Sequence, residues 1–160
     1  KNIGFITIEM KQSQMIDRLQ GYQEAISDAG LKTYIKKLPL LEYNITNSKL
    51  DDYVSKFIEE TPELDAIYFS TNYLALSGLR VIKKNFPHYT DKLGLISFDD
   101  LDFFEFYTPA ISAVSQPYFE LSKSVMDLMF NILNSKIKKK STTKIEIETN
   151  LKIRESSRVR

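Results

Sequence analysis

Strand-like and helix-like segments alternate along the 160 residues of this chain, and this order limits the possible folds more than any other feature. Short apolar runs are typical of strands, whereas apolar residues that recur every three or four positions are typical of helices. The predicted strands are 2–8, 33–38, 66–70, 93–98, 111–115 and 145–153. The predicted helices are 13–29, 50–60, 72–84 and 117–134. Because parallel strands need right-handed crossovers, this order predicts an α/β protein whose mainly parallel sheet carries helices on both faces.

Individual residues and patterns refine these segments. Ser13 offers an N-cap oxygen to the first helix, Gly30 supplies its left-handed stop, and Pro117 suits the first position of the last helix. The run 93–98 is nearly continuously apolar, which predicts a strand buried on both faces, followed by an acidic, aromatic loop. The strict alternation in 145–153 predicts an antiparallel or edge strand. The last helix carries an apolar stripe that is expected to pack in the core: Val125, Leu128 and Met129.

Charge and composition exclude several classes of protein. The chain has 22 basic and 21 acidic side chains, so no overall field draws it onto DNA or anionic lipid. Cys is absent, which excludes disulfides, thiolate nucleophiles and Cys-based zinc sites and favours the cytoplasm. Apolar runs stop far short of the roughly 20 residues that cross a bilayer, so no membrane span is expected. The basic segment 136–144 lacks interleaved aromatic residues and is expected to be a solvated loop rather than a DNA site.

Polar side chains are expected to meet at one edge of the predicted sheet. Arg18 follows the first strand, Tyr43 the second, Asn72 the third and Asp99 the fourth. In a parallel α/β sheet, ligands bind at the carboxyl ends of the strands. Guanidinium, amide and carboxylate groups make paired hydrogen bonds to adjacent hydroxyls, and an aromatic ring covers an apolar sugar or base face, so a small polar ligand is predicted. The alternative is that Asn72 and Asp99 only cap helices or form turns.

The residue pattern gives little support for catalysis. His88 is the only histidine and lies beside a proline in a polar segment, where no triad assembles around it. Asp99, Asp100 and Asp102 belong to one short acidic segment, whereas a hard cation needs several converging oxygens, so no metal site is expected. None of the glycines is spaced as in a phosphate-binding loop. We therefore expect neither an enzyme nor a cofactor.

Four stretches resemble the effector-binding region of the LacI/GalR family of transcription regulators. They are 18–30 (RLQGYQEAISDAG), 65–78 (DAIYFSTNYLALSG), 93–116 (LGLISFDDLDFFEFYTPAISAVSQ) and 151–157 (LKIRESS). The first stretch resembles the family's helix with arginine, glycine, an aromatic residue and alanine, and the second resembles a strand that ends in asparagine. The third resembles the family's aspartate pair followed by a proline, and the fourth resembles its closing leucine, arginine and serine. The departures from the family pattern are Tyr73 for Asp, and Ser97 and Ser122 for Gly. We expect Tyr73 to change the size of the pocket.

The resemblance implies a type I periplasmic-binding-protein-like fold, in which two α/β subdomains close around a small ligand behind a helix-turn-helix headpiece. It implies that residues 1–110 belong to the C-terminal subdomain, that 111–135 supply a strand and helix of the N-terminal subdomain, and that 136–160 return to the C-terminal subdomain. The chain would then be truncated to mostly the C-terminal subdomain.

The resemblance also implies roles for single residues. The positions that match effector-binding residues are Arg18, Asn72, Asp99, Gln116, Tyr43 and Tyr118. The positions that match the dimer-forming surface are Leu76, Ser77, Arg80, Val81 and Tyr107. The implied function is that of the sensing and homodimerising part of a regulator that responds to a sugar or related metabolite and reaches DNA only through the headpiece. The alternative is an extracytoplasmic sugar-binding protein of a transport system, which shares the fold and the pocket chemistry.

Overall fold

The computed structural model describes residues 1–39, 47–134 and 144–158 of the chain. The strands are β1 (Ile3–Ile8), β2 (Tyr34–Leu38), β3 (Ala66–Phe69), β4 (Gly94–Phe98), β5 (Ser112–Ser115) and β6 (Asn150–Lys152). The α-helices are α1 (Ser13–Asp28), α2 (Asn47–Glu60), α3 (Asn72–Asn85), α4 (Asp102–Phe106) and α5 (Tyr118–Leu133). Short 3₁₀ turns occupy Pro87–Tyr89 and Glu155–Ser157. The predicted basic loop at 136–144 lies almost wholly outside the described residues.

The six strands of the described residues form one sheet in the order β2-β1-β3-β4-β5-β6. The first five are parallel, with Phe5 of β1 opposite Ile35 of β2 and Tyr68 of β3. β6 pairs with β5 in the antiparallel direction. The prediction of an α/β protein with a mainly parallel sheet is therefore confirmed. The antiparallel edge strand is also confirmed, although the paired part is shorter than the predicted 145–153.

The apolar core lies on both faces of this sheet. On one face, α2 and α3 pack over a large cluster that includes Ile6 and Phe69, both at most 1% exposed. On the other face, Phe5 packs against Tyr22 and Ile26 of α1. The Phe5 and Tyr22 rings stack with their centroids 4.9 Å apart. Helices thus cover both faces, as a sheet built from right-handed crossovers requires.

β4 differs from the expected strand that is buried on both faces. Leu95 and Ser97 are buried, but Ile96 and Phe98 are only half-buried. Leu95 belongs to the core beneath α2 and α3, whereas Ile96 and Phe98 point to the opposite face, where α1 packs mainly on β1. A continuous apolar run predicts that both faces avoid water, but not how far a helix extends over each of them.

Two of the three predicted helix-end residues lie one position away from the predicted role. Ser13 is not the N-cap of α1, because Gln12 holds that position and its carbonyl accepts from the Ile16 N–H at 3.2 Å. Pro117 likewise takes the N-cap position of α5 rather than the first helical position. Gly30 does supply the left-handed stop, with φ of +64°.

The segments around α4 and α5 depart most from the sequence predictions. The predicted loop after β4 contains α4, whose Phe104 is fully buried and anchors a helical turn in an exposed aromatic run. None of the α5 residues is buried, and Val125 and Met129 are 64% and 43% exposed, so the prediction of core packing is wrong within the described residues. Periodicity identifies an apolar face but not what covers it. β5 lies in the same sheet as β4, and the assignment of 111–135 to a second subdomain stays a prediction.

Candidate functional site

Arg18 reaches from α1 to the carboxyl ends of β3 and β4. Its guanidinium carbon lies 3.6 Å from the centre of the ring of Phe98, the last residue of β4. Its Nη1 donates a 2.7 Å hydrogen bond to the carbonyl of Ser70, the residue that follows β3. The Arg18 side chain is only 12% exposed. A planar cation is thus fixed on an aromatic face, and its Nε and Nη2 groups make no hydrogen bond to the described residues.

Asp99 occupies a left-handed turn directly after β4, with φ of +68°. Aspartate tolerates this backbone region better than most residues do. The Asp99 N–H donates to the Val114 carbonyl at 2.9 Å, and the buried Ser97 hydroxyl shares its proton between the Phe98 carbonyl at 2.9 Å and the Asp99 carbonyl at 3.1 Å. Ser97, a departure from the family pattern, therefore helps to hold the turn that carries the site aspartate.

The Asp99 carboxylate meets two of the other predicted site residues. Its Oδ1 accepts a hydrogen bond from Nε2 of Gln116, and its Oδ2 lies 3.9 Å from Nη1 of Arg18. The longer distance is that of an ion pair and not of a hydrogen bond. Arg18 and Asp99 therefore attract each other without occupying each other's donors and acceptors. Gln116 follows β5, so its bond joins the site to the chain that leaves the sheet toward α5.

Asn72 is the first residue of α3 but does not cap it. The N-cap is Thr71, whose hydroxyl accepts from the Leu74 N–H at 3.4 Å. The half-buried Asn72 side chain makes no hydrogen bond to the residues that the structure describes. Asp99 does not cap α4 either, because the N-cap of that helix is Leu101. The capping alternative is therefore wrong for both residues, although Asp99 does form a turn.

Three tyrosines lie close enough to this site to respond to the Arg18 charge. Burial raises the pKa of Tyr68 to about 12, with Arg18 opposing the shift and Asp99 adding to it. Burial also raises the pKa of Tyr73 and of Tyr118, and Arg18 again opposes each shift. Tyr73 and Tyr118 are 40% and 56% exposed. The three phenol groups therefore stay neutral at neutral pH, and the effect of Tyr73 on the size of the pocket stays a prediction.

Sequence reasoning missed Phe98, Ser70 and Tyr68. The signal for Phe98 was its place directly before Asp99, at the end of a strand. No signal marks Ser70, because it acts through its backbone carbonyl. Tyr68 alternates with the buried Ile67 and Phe69 of β3, which places it on the opposite face of the sheet, where its ring lies 5.2 Å from that of Phe5. The predicted Tyr43 lies outside the described residues.

The predicted dimer positions lie on α3 and directly after α4: Leu76, Ser77, Arg80, Val81 and Tyr107. Ser77 and Val81 are at most 2% exposed, and the Ser77 hydroxyl donates to Asp51 at 2.5 Å. Arg80 is exposed and donates to both carboxylate oxygens of Asp51, at 2.8 and 3.2 Å. Leu76 and Tyr107 are half-buried. The role of these residues in a dimer stays a prediction.

A cavity of about 500 Å³ opens at the opposite edge of the sheet. Its lining includes Asp65, Gly94 and Ser156, at the amino ends of the strands, and none of the predicted effector residues. The described residues contain no group of His, Cys, Asp or Glu side chains that could hold a metal ion. Within the same residues, every helix is too short or too polar to cross a membrane.

Comparison with known proteins establishes the family. The family model of the periplasmic binding protein-like domain matches residues 1–157, so the chain belongs to this family. In sequence the chain is 23% identical over 149 residues to the regulator CelR of Thermobifida fusca, covering 88% of this chain and 40% of that protein. A structure of a CelR–cellobiose complex superposes with a TM-score of 0.78 at 21% identity, covering 98% of this chain and 46% of the other.

A LacI-family sugar-binding transcriptional regulator from Escherichia coli, complexed with phosphate, shares the fold as well. It has a TM-score of 0.72 and 21% identity, covering 97% of this chain and 54% of the other. These comparisons confirm the resemblance to LacI/GalR regulators and the periplasmic-binding-protein-like fold. The chain spans about half the length, or less, of these relatives. The relatives named here are transcriptional regulators.

Proposed function

We propose that this chain is the effector-sensing part of a transcriptional regulator that responds to a sugar or a related small metabolite. The observation that carries the proposal is the Arg18–Asp99 pair at the carboxyl edge of the sheet. The two groups lie 3.9 Å apart, and both side chains are at most 16% exposed. A charged pair with free donors and acceptors beside an aromatic face is the composition of a site for a small polyhydroxylated ligand.

The binding chemistry follows from the groups that the fold leaves unengaged. The free N–H groups of Arg18 and the free Oδ2 of Asp99 supply paired donors and acceptors for adjacent hydroxyls. The Asn72 amide, at the next strand end, adds a donor and an acceptor. Tyr118 and the proposed Tyr43 offer ring faces for the apolar side of a sugar. The cellobiose in the CelR structure supports a saccharide as the ligand class.

A regulator is favoured over a transport receptor by the names of the relatives, which are transcriptional regulators. In this proposal a headpiece outside this chain contacts DNA, since the net charge of +1 gives this chain itself no overall attraction for DNA. A regulator of this kind acts in the cytoplasm.

The proposed partner is a second copy of the protein, through a surface that includes Leu76, Arg80 and Tyr107. The predicted dimer positions Ser77 and Val81 are buried and can only support α3 beneath such a surface. The ring of Phe103 lies 5.7 Å from that of Tyr107, and Phe103 and Phe106 of α4 are 51% and 82% exposed. Exposed aromatic residues next to half-buried apolar ones favour a protein contact at this place. Ligand binding would then change the spacing of the two DNA-binding headpieces.

The experiment is a screen of the full-length protein against glucose, ribose, cellobiose, lactose and maltose by thermal shift. We expect at least one saccharide to raise the melting temperature, because a ligand that binds only the folded state stabilises it. That saccharide should also change the affinity for DNA from the region upstream of the gene, measured by fluorescence anisotropy. Binding of a saccharide without any DNA affinity would favour the transport receptor. Failure of every saccharide would contradict the proposed ligand class.

A further inference from the structure

Two adjacent aspartates connect the candidate site to the segment that leaves β5 and to the segment that contains β6. We call the segment from β5 into α5 the outgoing crossover and the segment through β6 to Arg154 the returning crossover. Asp99 is bonded to the outgoing crossover through Gln116. Asp100 is bonded to the returning crossover through Lys152 and Arg154. One short turn after β4 thus holds both crossovers.

The bond between Asp100 and Arg154 has the geometry of a two-pronged ion pair. Nη1 of Arg154 lies 2.8 Å from Oδ1 of Asp100, and Nη2 lies 2.9 Å from Oδ2. Lys152 adds a third bond, from Nζ to Oδ2, at 2.9 Å. The Asp100 and Arg154 side chains are only 11% and 14% exposed. Such a partly desolvated, bidentate pair fixes both position and orientation, which an exposed ion pair does not.

Arg154 is itself held in place from the other side. Its Nη1 also donates to the Ile111 carbonyl at 2.7 Å, and its backbone N–H donates to the Ser112 hydroxyl at 2.7 Å. Both partners lie at the start of β5. Arg154 therefore bridges the start of β5 to the turn after β4, and any shift of Arg154 has to move Asp100.

The neighbouring backbone needs such support. Asp99 adopts a left-handed conformation that is costly for a residue other than glycine, and such residues persist where surrounding contacts define them. The contacts that define this turn are the Asp99 N–H bond to Val114, the Ser97 hydroxyl and the fork from Arg154 to Asp100. The fork and the bond from Lys152 to Asp100 come from the part of the chain at and after β6, and Gln116, directly after β5, adds the bond to the Asp99 carboxylate.

We infer that Asp100 and Arg154 are positioning residues of the effector site. Their ion pair holds the left-handed turn at Asp99, so that the Asp99 carboxylate faces Arg18 and Gln116, and it ties the site to the returning crossover. The inference rests on the proposed function only in that Asp99 is taken to face the effector. The ion pair and the turn that it holds exist in the protein without ligand.

Arg154→Lys in the full-length, unliganded protein tests the inference. Lysine keeps the positive charge but cannot hold both Asp100 oxygens and the Ile111 carbonyl. The control is Lys56→Gln, since Lys56 also pairs with a carboxylate, that of Glu60, but lies on α2, away from the Asp99 turn and from the proposed dimer positions. Hydrogen exchange is measured by mass spectrometry for a peptide covering 96–101 and for a core peptide covering 2–8.

We expect Arg154→Lys to speed exchange in 96–101 by about tenfold, the effect of losing one hydrogen bond to a charged group, with exchange in 2–8 unchanged. Lys56→Gln should leave 96–101 unchanged. Unaltered exchange in 96–101 would overturn the inference. An equal rise in both peptides would also overturn it, because it would show general destabilisation only. The saccharide screen judges the proposed function separately, since the exchange experiment contains no sugar.

Discussion

Gly78→Ala tests the close packing that places α3, and with it Asn72, at the edge of the sheet. A methyl group at this position would lie 2.3 and 2.6 Å from two ring carbons of Phe69. Phe69 is 1% exposed in the core between α3 and β3, so its ring has little room to move. Alanine gains about 0.5–1 kcal/mol over glycine in a helix, whereas overpacking a filled core costs about 1–3 kcal/mol. Since two contacts fall below 3.0 Å, we take the upper end of that cost.

The net expectation for Gly78→Ala is a loss of about 2 kcal/mol in the free energy of unfolding. Gly21→Ala is the matched control, because Gly21 is an exposed residue of α1 and the added methyl group would have no atom within 4 Å beyond its chain neighbours and its own helix backbone. That variant should gain about 0.5–1 kcal/mol. The assay is urea unfolding of the full-length protein and both variants, with the slopes compared.

A smaller side chain at position 69 provides the internal check. In a Phe69→Leu background, Gly78→Ala should cost less than in the natural sequence, because the added methyl group then has space. The reasoning is refuted if Gly78→Ala is as stable as the natural protein, or if Gly78→Ala and Gly21→Ala shift the stability by the same amount. Either result would mean that α3 does not depend on this close approach to β3.

Two further predictions concern a charge and a helix end. Burial opposes ionisation of Asp100, but hydrogen bonds from Arg154 and Lys152 outweigh this effect and lower the pKa of the carboxyl group. The ionised group therefore stabilises the fold above about pH 4, the pKa of an unfolded aspartate. This contribution is lost as the pH falls through the lowered pKa of the folded state. Asp100→Asn should therefore lower the urea midpoint at neutral pH, and the gap to the natural protein should shrink on acidification; a gap that stays constant contradicts this. Thr71→Ala should cost about 0.5–1 kcal/mol in thermal or urea unfolding through the lost cap of α3, whereas Ser13→Ala should change little, because Ser13 does not cap α1.

The sequence was sufficient to predict the sheet and the edge at which the polar side chains of the candidate site meet. Strand and helix periods differ, and the order of the segments leaves few topologies, so the positions of Arg18, Asn72 and Asp99 at strand ends followed directly. The resemblance to LacI/GalR regulators added Gln116, which strand order alone does not single out. The structure then brings Gln116 and Asp99 into contact.

The remaining features depend on contacts that no local pattern encodes. Arg18 lies on Phe98 and is bonded to the Ser70 carbonyl, and these contacts join three separate segments of the chain. The Asp100–Arg154 fork spans 54 positions of sequence. The helix α4 is only five residues long, too short for a period to be recognised.

Exposure was the other feature that periodicity could not supply. The stripe on α5 has the spacing of a core helix, but Val125 is 64% exposed, because the described residues place no partner over it. An apolar face predicts that something covers it, and the sequence of one segment does not state which part of the protein does so.

The most direct test of the central claim is calorimetric titration of the full-length protein with the saccharide that raises its melting temperature most. Asp99→Ala should weaken that affinity by about tenfold or more, since it removes an acceptor of charge-assisted hydrogen bonds. Lys56→Ala, which removes an exposed charge on α2, should leave the affinity unchanged. An affinity for Asp99→Ala equal to that of the natural protein would contradict the account, because the carboxylate at the end of β4 would then take no part in holding the effector.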